Sequence, residues 1–444
     1  MLIFGVYFDI SVFVPEYIKY WFLVGFEKFL RVFWYFVLFE FSRYISIDFI
    51  IAGIFYITRK KRNTAFEKAR QMLRLENPFV SIIIPGKNEG KHLFKLTKSL
   101  VEQTYRNFEL IIVDDGSDDD TPIIGRNLER LGLIDLFLRN EMRGGKASAA
   151  NLALRYSKGK YIVHLDADCS FDNDAIEHVL VPFYMNPKLG AVGGNVKVRN
   201  YKNSLCAKLQ ALEYLKTISV GRIITSYLGI YKIISGAFGA FDAQALEAVK
   251  GWDIGPGLDG DITVKIRKSG YDVAFEPSAI CLTNAPERFK VLTKQRLRWD
   301  KSIVRFRMRK HKDVYFPNAN FSITTFIALL ENVYYNVFLD IVWWVYIIDV
   351  LTHYNGTLQF IIPMNITLYL VMSYVQYLSI YIFSERKKQE MYLLPYVTLM
   401  TAYTGIYLRL IRTVAYYKEF FFKRSFEDPW NPYKSSSQAK RAGL

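Results

Sequence analysis

The sequence contains little cysteine and little histidine, with three Cys and five His among its 444 residues. The spacing of Cys169, Cys206 and Cys281 excludes a disulfide framework and a cysteine-based zinc site, and the histidines have no metal-binding spacing. Two glycine-rich segments do not match the usual phosphate loops: 144–147 lacks the upstream Gly and the following Ser or Thr of G-x-x-x-x-G-K-[ST], and 236–239 is not G-x-G-x-x-G. We therefore do not expect a kinase, an NTPase or a dinucleotide-binding enzyme.

Basic and aromatic residues, by contrast, are abundant. Lys and Arg number 58 against 42 Asp and Glu, which gives a formal net charge of +16, and there are 34 Phe and 31 Tyr. Half of the residues (51%) are hydrophobic, which excludes a disordered chain, and the chain is longer than a single core usually grows. The positive charge is typical of proteins that bind nucleic acid, anionic lipid or phosphorylated substrates.

The hydrophobic residues are concentrated at the two ends of the chain. Residues 4–57 are almost entirely apolar or aromatic and predict one or two membrane spans. Residues 323–350 and 358–383 predict two further spans, and 391–408 form a last apolar stretch. The basic runs at 59–62 and 386–388 place the middle of the chain in the cytoplasm by the positive-inside rule. We therefore expect a multi-pass protein of the plasma membrane (the inner membrane of the cell), whose basic residues set topology and bind membrane lipids rather than nucleic acid.

Residues 79–290 have the pattern of an α/β domain. Four short, β-branched apolar runs, at 80–85, 108–113, 160–165 and 191–196, alternate with stretches of helical periodicity. Such near-continuous apolar strands predict a parallel sheet covered on both faces. Polar clusters follow the strands, and ligands bind beyond the carboxyl ends of the strands in such sheets. We therefore expect the functional site there.

Two carboxylates two residues apart, Asp166 and Asp168, follow the third predicted strand. An extended backbone points both side chains to one side, and hard oxygen ligands suit Mg²⁺ or Mn²⁺, which could bridge to a diphosphate. The alternative is a loop that is rich in Asp because Asp caps the helix starting near Asp174. The other clusters at the strand ends favour the metal.

The order of the motifs resembles that of inverting glycosyltransferases with a GT-A fold. The motifs are Ile84-Pro85 leading to Asn88-Glu89, Asp114-Asp115-Gly116-Ser117, Gly145-Lys146, Asp166-Ala167-Asp168, Ser235-Gly236-Ala237 and Asp259. The segment Gln295-Arg296-Leu297-Arg298-Trp299 is similar to the Q-x-x-R-W signature of the processive, membrane-embedded branch, which includes hyaluronan, chitin, cellulose, poly-N-acetylglucosamine and alginate synthases. The resemblance covers residues 79–312 by motif.

The resemblance implies a role for each motif residue. The residues implied to bind a nucleotide sugar, most simply a UDP-sugar, are Pro85, Asn88, Glu89, Asp114, Lys146, Asp166, Gln295 and Arg298. The residues implied to bind the acceptor are Ser235, Gly236, Ala237 and Trp299. Asp166 and Asp168 would hold Mg²⁺ or Mn²⁺, and Asp259 would be the catalytic base, with Asp261 as the second candidate because Leu258 stands where the family usually has Glu.

Simpler explanations exist for several of these residues. Asp114-Asp115-Gly116 could be only a tight turn, and Lys146 only an exposed lysine at a helix start. The basic, helical segment 293–312 could be a general membrane anchor rather than an acceptor-binding interfacial helix. The complete set in one order favours the functional interpretation.

We therefore predict an α/β fold with a cytoplasmic GT-A domain between membrane helices. The predicted segments are membrane helices in 1–58, a linker in 59–78, the GT-A domain in 79–290, an interfacial helix in 291–318, membrane helices in 319–420 and a cytoplasmic tail in 421–444. The predicted function is polymerisation of a nucleotide-activated sugar into a β-linked polysaccharide that crosses the membrane, with room for an accessory secretion or regulatory subunit. The alternatives are a non-processive transferase that moves one sugar to a lipid, and a nucleotide-binding transport or scaffold protein.

Overall fold

A computed structural model of the protein describes residues 2–3, 6–7, 10–255, 257–318, 321–384, 386–428 and 431–442, with side chains from residue 14 onward except 44–46. The central domain contains an eight-stranded mixed sheet, and a two-residue hairpin lies near the start of the chain. The strands are β1 (Leu2–Ile3), β2 (Val6–Tyr7), β3 (Val80–Gly86), β4 (Phe108–Asp114), β5 (Leu136–Arg139), β6 (Tyr161–Leu165), β7 (Ser170–Phe171), β8 (Leu189–Val198), β9 (Phe238–Asp242) and β10 (Asp272–Thr283).

The order of the sheet is β5-β4-β3-β6-β9-β8-β10-β7. Strands β5, β4, β3 and β6 are mutually parallel, as are β8 and β10, and they correspond to the predicted parallel sheet. The four predicted strands are confirmed as β3, β4, β6 and β8. The prediction of an all-parallel sheet is wrong, because β9 runs antiparallel to both β6 and β8. Its sequence, Phe-Gly-Ala-Phe-Asp, contains no β-branched residue, so it gave no strand signal.

Helices cover the sheet and form both ends of the chain. Within the described residues they are α1 (Ile10–Val32, broken at Gly25), α2 (Asp48–Glu76), α3 (Gly90–Val101), α4 (Thr121–Arg130), α5 (Lys146–Tyr156), α6 (Ala175–Met185), α7 (Leu205–Tyr214), α8 (Gly221–Tyr227), α9 (Ala243–Ala248), α10 (Leu258–Lys268), α11 (Phe289–Ile303), α12 (Ile323–Val333), α13 (Leu339–His353), α14 (Leu358–Phe383), α15 (Lys387–Met391), α16 (Met400–Ala402), α17 (Leu408–Phe422) and α18 (Tyr433–Arg441). Wider π-helical turns occur at Phe36–Ile47, Leu215–Val220, Val304–Lys310, Tyr334–Phe338 and Tyr403–Tyr407, and 3-10 turns at Lys312–Tyr315, Asn355–Thr357, Leu394–Leu399 and Arg424–Glu427.

The two faces of the sheet are buried by separate apolar clusters. Ile82 and Ile84 of β3 point to one cluster, and Ile83 points to the other, as the two-residue period of a strand requires. Helix α2 continues from the N-terminal segment through residues 59–76 and packs on α6 of the domain. There Arg70 and Arg74 both bind the buried carboxylate of Glu177, at 2.9 and 2.5 Å. The predicted linker is therefore largely helical and fixed to the domain.

Two helical stretches among the described residues are long and apolar enough to cross a membrane, at Ile323–His353 and Asn355–Phe383. They coincide with the two strong spans predicted from the sequence. The N-terminal stretch is helical, but it carries Glu40 and Arg43, and it falls outside this pair. Both charges are paired with the C-terminal helices, Glu40 with Arg409 at 3.0 Å and Arg43 with Glu331 at 2.6 Å.

Candidate active site

The polar motifs meet at the carboxyl ends of β3, β4 and β6, where the sequence analysis expected a site. Asp114 is the last residue of β4, and Asp166 directly follows β6. The Asp115 amide donates a hydrogen bond of 2.8 Å to the carbonyl of Gly86, at the end of β3. Parallel pairing of these strands therefore places three motifs that are far apart in sequence at one edge.

The Asp114 carboxylate and the Asn88 loop are joined through Ser117. Ser117 donates its amide (3.0 Å) and its hydroxyl to Asp114 Oδ1, and the Asn88 amide donates to the same hydroxyl oxygen at 2.8 Å. Asn88 has the left-handed backbone conformation (φ 60°), which brings the loop after Pro85 close to the β4 turn. Asp114 Oδ2 is buried and accepts no hydrogen bond from the described residues, with Arg139 Nε 3.4 Å away. An acceptor oxygen therefore remains in this pocket.

The neighbouring carboxylate, Asp115, holds the Gly144–Gly145 turn, and the sequence analysis did not assign it a role. Its Oδ1 accepts a hydrogen bond of 2.8 Å from the Gly144 amide, and its Oδ2 accepts one of 2.8 Å from the Gly145 amide. Asn140 Nδ2 donates to Oδ1 at 3.1 Å. Gly145 has φ 93° and directly precedes Lys146 at the start of α5. Asp115 therefore fixes the turn that positions Lys146.

Lys146 points at the acidic cluster and forms an ion pair with Asp166. Burial lowers the pKa of Lys146, but the charges of Asp166 and Asp259 outweigh this effect and raise it overall. Burial, followed by the charges of Asp168 and Asp166, raises the pKa of Glu89 to about 7. Burial and the charge of Asp166 also raise the pKa of Asp168. These shifts show that Glu89 and Lys146 lie within electrostatic reach of both carboxylates of the D-x-D motif.

Asp259 lies in the first turn of α10 and faces the Ser235–Ala237 loop. A Cβ atom on Gly236 would be 2.5 Å from Asp259 Oδ1, so only glycine allows this approach. Burial raises the pKa of Asp259, with Asp166 adding to the effect and Lys146 opposing it. On the other side of the loop, the Gly236 carbonyl accepts a hydrogen bond of 2.8 Å from Nδ1 of the buried His164. The structure therefore joins the Gly236 loop, Asp259, Lys146 and Asp166 in one cluster.

Asp261, the second candidate for the base, occupies a different environment. Its carboxylate is buried between His311 Nε2 and Lys310 Nζ, both at 2.7 Å. Burial would raise the pKa of Asp261, but the contacts with His311 and Lys310 lower it overall. The contacts of Asp261 thus join α10 to the segment that follows α11.

The Q-x-x-R-W residues lie on α11. A second group of side chains, which includes Glu213, contacts this helix. Arg296 binds Glu213 at 2.9 Å, and its guanidinium carbon lies 4.5 Å from the centre of the Trp299 ring, which is 37% exposed. Gln295 Oε1 is buried and accepts no hydrogen bond from the described residues. Burial raises the pKa of Tyr214 to about 12, and the charges of both Glu213 and Asp168 add to this effect.

The C-terminal tail reaches the Gly144–Gly145 turn, which the sequence did not predict. Ser435 Oγ donates a hydrogen bond of 2.8 Å to the Gly144 carbonyl. Asn431 and Pro432 lie so close that a Cβ atom on Gly145 would be 3.3 Å from each. The tail carries no recognisable motif, so only the folded chain reveals this contact.

The site offers oxygen ligands that are compatible with a divalent cation. Asp166 and Asp168 supply two carboxylates, and their mutual repulsion raises the pKa of Asp168 after the effect of burial. No group of three or more His, Cys, Asp or Glu side chains within the described ranges could hold a metal ion by itself. This arrangement fits Mg²⁺ or Mn²⁺ better than a closed structural site, because such ions keep several ligands from water and substrate phosphate.

The mixed sheet with acidic turns at the carboxyl ends of its strands is an α/β fold of the GT-A kind. Residues 81–248 match the family "Glycosyl transferase family 2". This part of the chain is therefore a family-2 glycosyltransferase domain, and the predicted resemblance to glycosyltransferases is confirmed.

The relatives agree with this assignment. The chain is 33% identical over 263 residues to a poly-β-1,6-N-acetyl-D-glucosamine synthase of Staphylococcus epidermidis, a match that covers 58% of this chain and 62% of the relative. It is 33% identical over 261 residues to the synthase of the same name from Staphylococcus aureus strain COL, with the same coverage. The matches thus span less than two thirds of these relatives.

A solved mannosyltransferase from Pyrobaculum calidifontis, in complex with GDP-Man and Mn²⁺, has a similar fold. Its TM-score is 0.52 at 19% identity, and the match covers 84% of this chain and 99% of that chain.

Proposed function

We propose that this chain is an inverting, processive glycosyltransferase that polymerises a UDP-sugar into a β-linked polysaccharide and passes the polymer across the membrane. The names of the relatives support N-acetylglucosamine as the sugar and a β-1,6 linkage. The observation that carries the proposal is the position of Asp259, which lies against Gly236 and within electrostatic reach of Lys146 and Asp166.

In the proposed reaction, Asp259 takes the proton of an acceptor hydroxyl while that oxygen attacks the anomeric carbon of the donor. The bond from the anomeric carbon to the diphosphate oxygen breaks in the same displacement, which converts an α-linked donor into a β-linked product. The raised pKa of Asp259 makes it a stronger base than an exposed carboxylate. Lys146 supplies a positive charge beside the leaving diphosphate.

Asp166 and Asp168 would hold the divalent cation, whose charge would stabilise the UDP that leaves. Asp114 Oδ2, which lies near Arg139 but accepts no hydrogen bond from the described residues, would accept the N–H of uracil, with Pro85, Asn88 and Glu89 forming the wall. Gln295 and Arg298 would face the diphosphate.

The Ser235–Ala237 loop and Trp299 would bind the acceptor. The exposed part of the Trp299 ring supports this role, because a flat aromatic surface can stack on a sugar ring. The two long apolar helical stretches would cross the membrane, and the remaining N- and C-terminal helices would complete the path, with the catalytic domain in the cytoplasm.

The test is a donor screen with the full-length chain purified in detergent. UDP-N-acetylglucosamine, UDP-glucose and GDP-mannose are supplied with Mg²⁺ or Mn²⁺, and both nucleotide release and product size are measured. We expect UDP release together with a polymer that a β-1,6-specific hydrolase degrades. Asp259→Asn should abolish release, and Asp174→Asn, which changes a partly exposed carboxylate elsewhere in the domain, should not.

The other outcomes separate the alternatives. A product with a single added sugar would refute processive synthesis and support transfer to a lipid. No nucleotide release from any donor, with UDP still bound, would support a nucleotide-binding scaffold. Full activity in a chelator would refute the metal role of Asp166 and Asp168.

A further inference from the structure

Glu213 is a buried carboxylate that lies outside every motif. It binds Arg296 on α11, the helix that carries the Q-x-x-R-W motif. It lies near the end of α7, and its Oε2 accepts hydrogen bonds of 2.9 Å from both Arg296 and the hydroxyl of Tyr403. The side chains of Glu213 and Arg296 are only 10% and 11% exposed. One carboxylate oxygen therefore connects the catalytic domain, the motif helix and the C-terminal helical segment.

Arg296 connects this carboxylate to Trp299. Residues 296 and 299 are one helical turn apart, and the guanidinium carbon lies 4.5 Å from the centre of the indole ring. A guanidinium bound by a carboxylate is restricted in its position, and it can stack on one face of an aromatic ring. Trp299 keeps part of its surface exposed, so the ring is supported without being enclosed.

Stability alone does not account for this ion pair. A buried ion pair contributes little net stability, because taking both charges out of water offsets their attraction. Arg296 Nε is also buried without a hydrogen bond among the described residues, so the arginine is not placed to satisfy all its donors. What the pair does fix is the orientation of a planar group against Trp299.

We propose that Glu213 is a positioning residue, which acts through Arg296 to hold the Trp299 ring in the orientation that stacks on the acceptor sugar and so sets the length of the product. The inference rests on the proposed function. It assigns Glu213 no contact with the donor, so the affinity for the nucleotide sugar should not depend on it.

The test is a double-mutant cycle with the full-length purified chain. Glu213→Gln, Trp299→Ala and the double variant are assayed with UDP-N-acetylglucosamine and a β-1,6-linked N-acetylglucosamine oligosaccharide. We expect Glu213→Gln to raise the acceptor KM about fivefold and to shorten the product, with a donor KM within about twofold of the unmodified chain. Adding Glu213→Gln to Trp299→Ala should change neither the acceptor KM nor the product length any further.

Two further variants make the test specific. Arg296→Lys keeps the charge but loses the planar group, so it should resemble Glu213→Gln. Glu247→Gln changes an exposed glutamate and should have no effect. If Glu213→Gln is not monodisperse after purification, Tyr403→Phe, which removes one donor to the same oxygen, replaces it and should give a smaller shift of the same kind.

The inference is overturned if Glu213→Gln leaves the acceptor KM and product length unchanged. It is also overturned if donor and acceptor KM rise together, or if the effects of Glu213→Gln and Trp299→Ala are additive. An unmodified chain that makes no polymer from any donor would instead contradict the proposed function, so the two failures are distinguishable.

Discussion

The role of Asp115 leads to a prediction that the structure makes quantitative. Its carboxylate accepts the amides of Gly144 and Gly145 on separate oxygens, both at 2.8 Å, and it is almost completely buried. In Asp115→Asn, one oxygen becomes an NH₂ group, which cannot accept a hydrogen bond. At least one buried backbone N–H then loses its partner and faces another donor.

Hydrogen bonds to a buried charged group are worth about 1.5–3 kcal/mol each, and an unsatisfied buried N–H adds a further penalty. We expect Asp115→Asn to destabilise the Gly144–Gly145 turn by about 2–4 kcal/mol in total. At ~1.4 kcal/mol per factor of ten, that cost corresponds to about 30- to 1000-fold in kcat/KM for the donor if the turn must be intact for Lys146 to reach the diphosphate. Part of the cost would appear as a lower Tm.

The assay is nucleotide release at varied donor concentration, together with thermal unfolding of the same preparation. Asp118→Asn is the matched control, because Asp118 lies in the same loop after β4 as Asp115 but its side chain is 81% exposed. A donor kcat/KM of Asp115→Asn within about threefold of the unmodified chain would refute this prediction, because the Gly144–Gly145 turn would then not be needed to position Lys146.

Four further variants test other features of the structure. Asp259→Asn should lower turnover by at least about 100-fold with UDP binding retained, measured by calorimetry, whereas Asp261→Asn should mainly lower Tm, because its buried cationic partners lose their counter-charge. Burial would raise the pKa of Glu177, but its two arginine partners outweigh this effect and lower the pKa to about 2. The ionised carboxylate therefore contributes about 2 kcal/mol to the free energy of unfolding above pH 4.5, and this contribution is lost as the pH falls towards 2. Glu177→Gln should therefore lower Tm at pH 7 and flatten the dependence of Tm on pH in that window; parallel curves would contradict this. Ser435→Ala, which removes the hydrogen bond from the tail to Gly144, should raise the donor KM about two- to fivefold at unchanged kcat, and an unchanged KM would exclude a role for that contact.

Much of the fold could be predicted because strands buried on both faces leave a plain signal. The β-branched runs of β3, β4 and β6 were recognised nearly to the residue, and a breaker or an acidic turn follows each. The strand β9 was missed because two of its five residues, Gly239 and Ala240, are not typical of strands. The glycine at position 239 leaves space for the side chain of Ile234. Side-chain packing at this position therefore weakened the pattern by which strands are recognised.

Some residues of the candidate site could likewise be predicted from the sequence, and others could not. Asp114, Asp166 and Lys146 were assigned candidate roles because they stand in motifs that resemble those of glycosyltransferases. Asp115 and Glu213 were not assigned a role, because each acts on a backbone turn or another side chain that lies far away in sequence. Nothing in a single sequence marks such a partner before the chain is folded.

This difference has a consequence for where the length of the product is controlled. In the proposed mechanism, the residues that carry the displacement lie within the motifs, and altering them would change the rate of every addition. The proposed processive synthesis requires instead that the acceptor stay bound through many additions, which would depend on how firmly the Trp299 ring is held rather than on its presence alone. Arg296 contacts that ring, and it is in turn bound by Glu213, which also accepts a hydrogen bond from Tyr403. Variants that alter product length without altering donor affinity should therefore occur at such supporting positions, most of which lie outside the motifs.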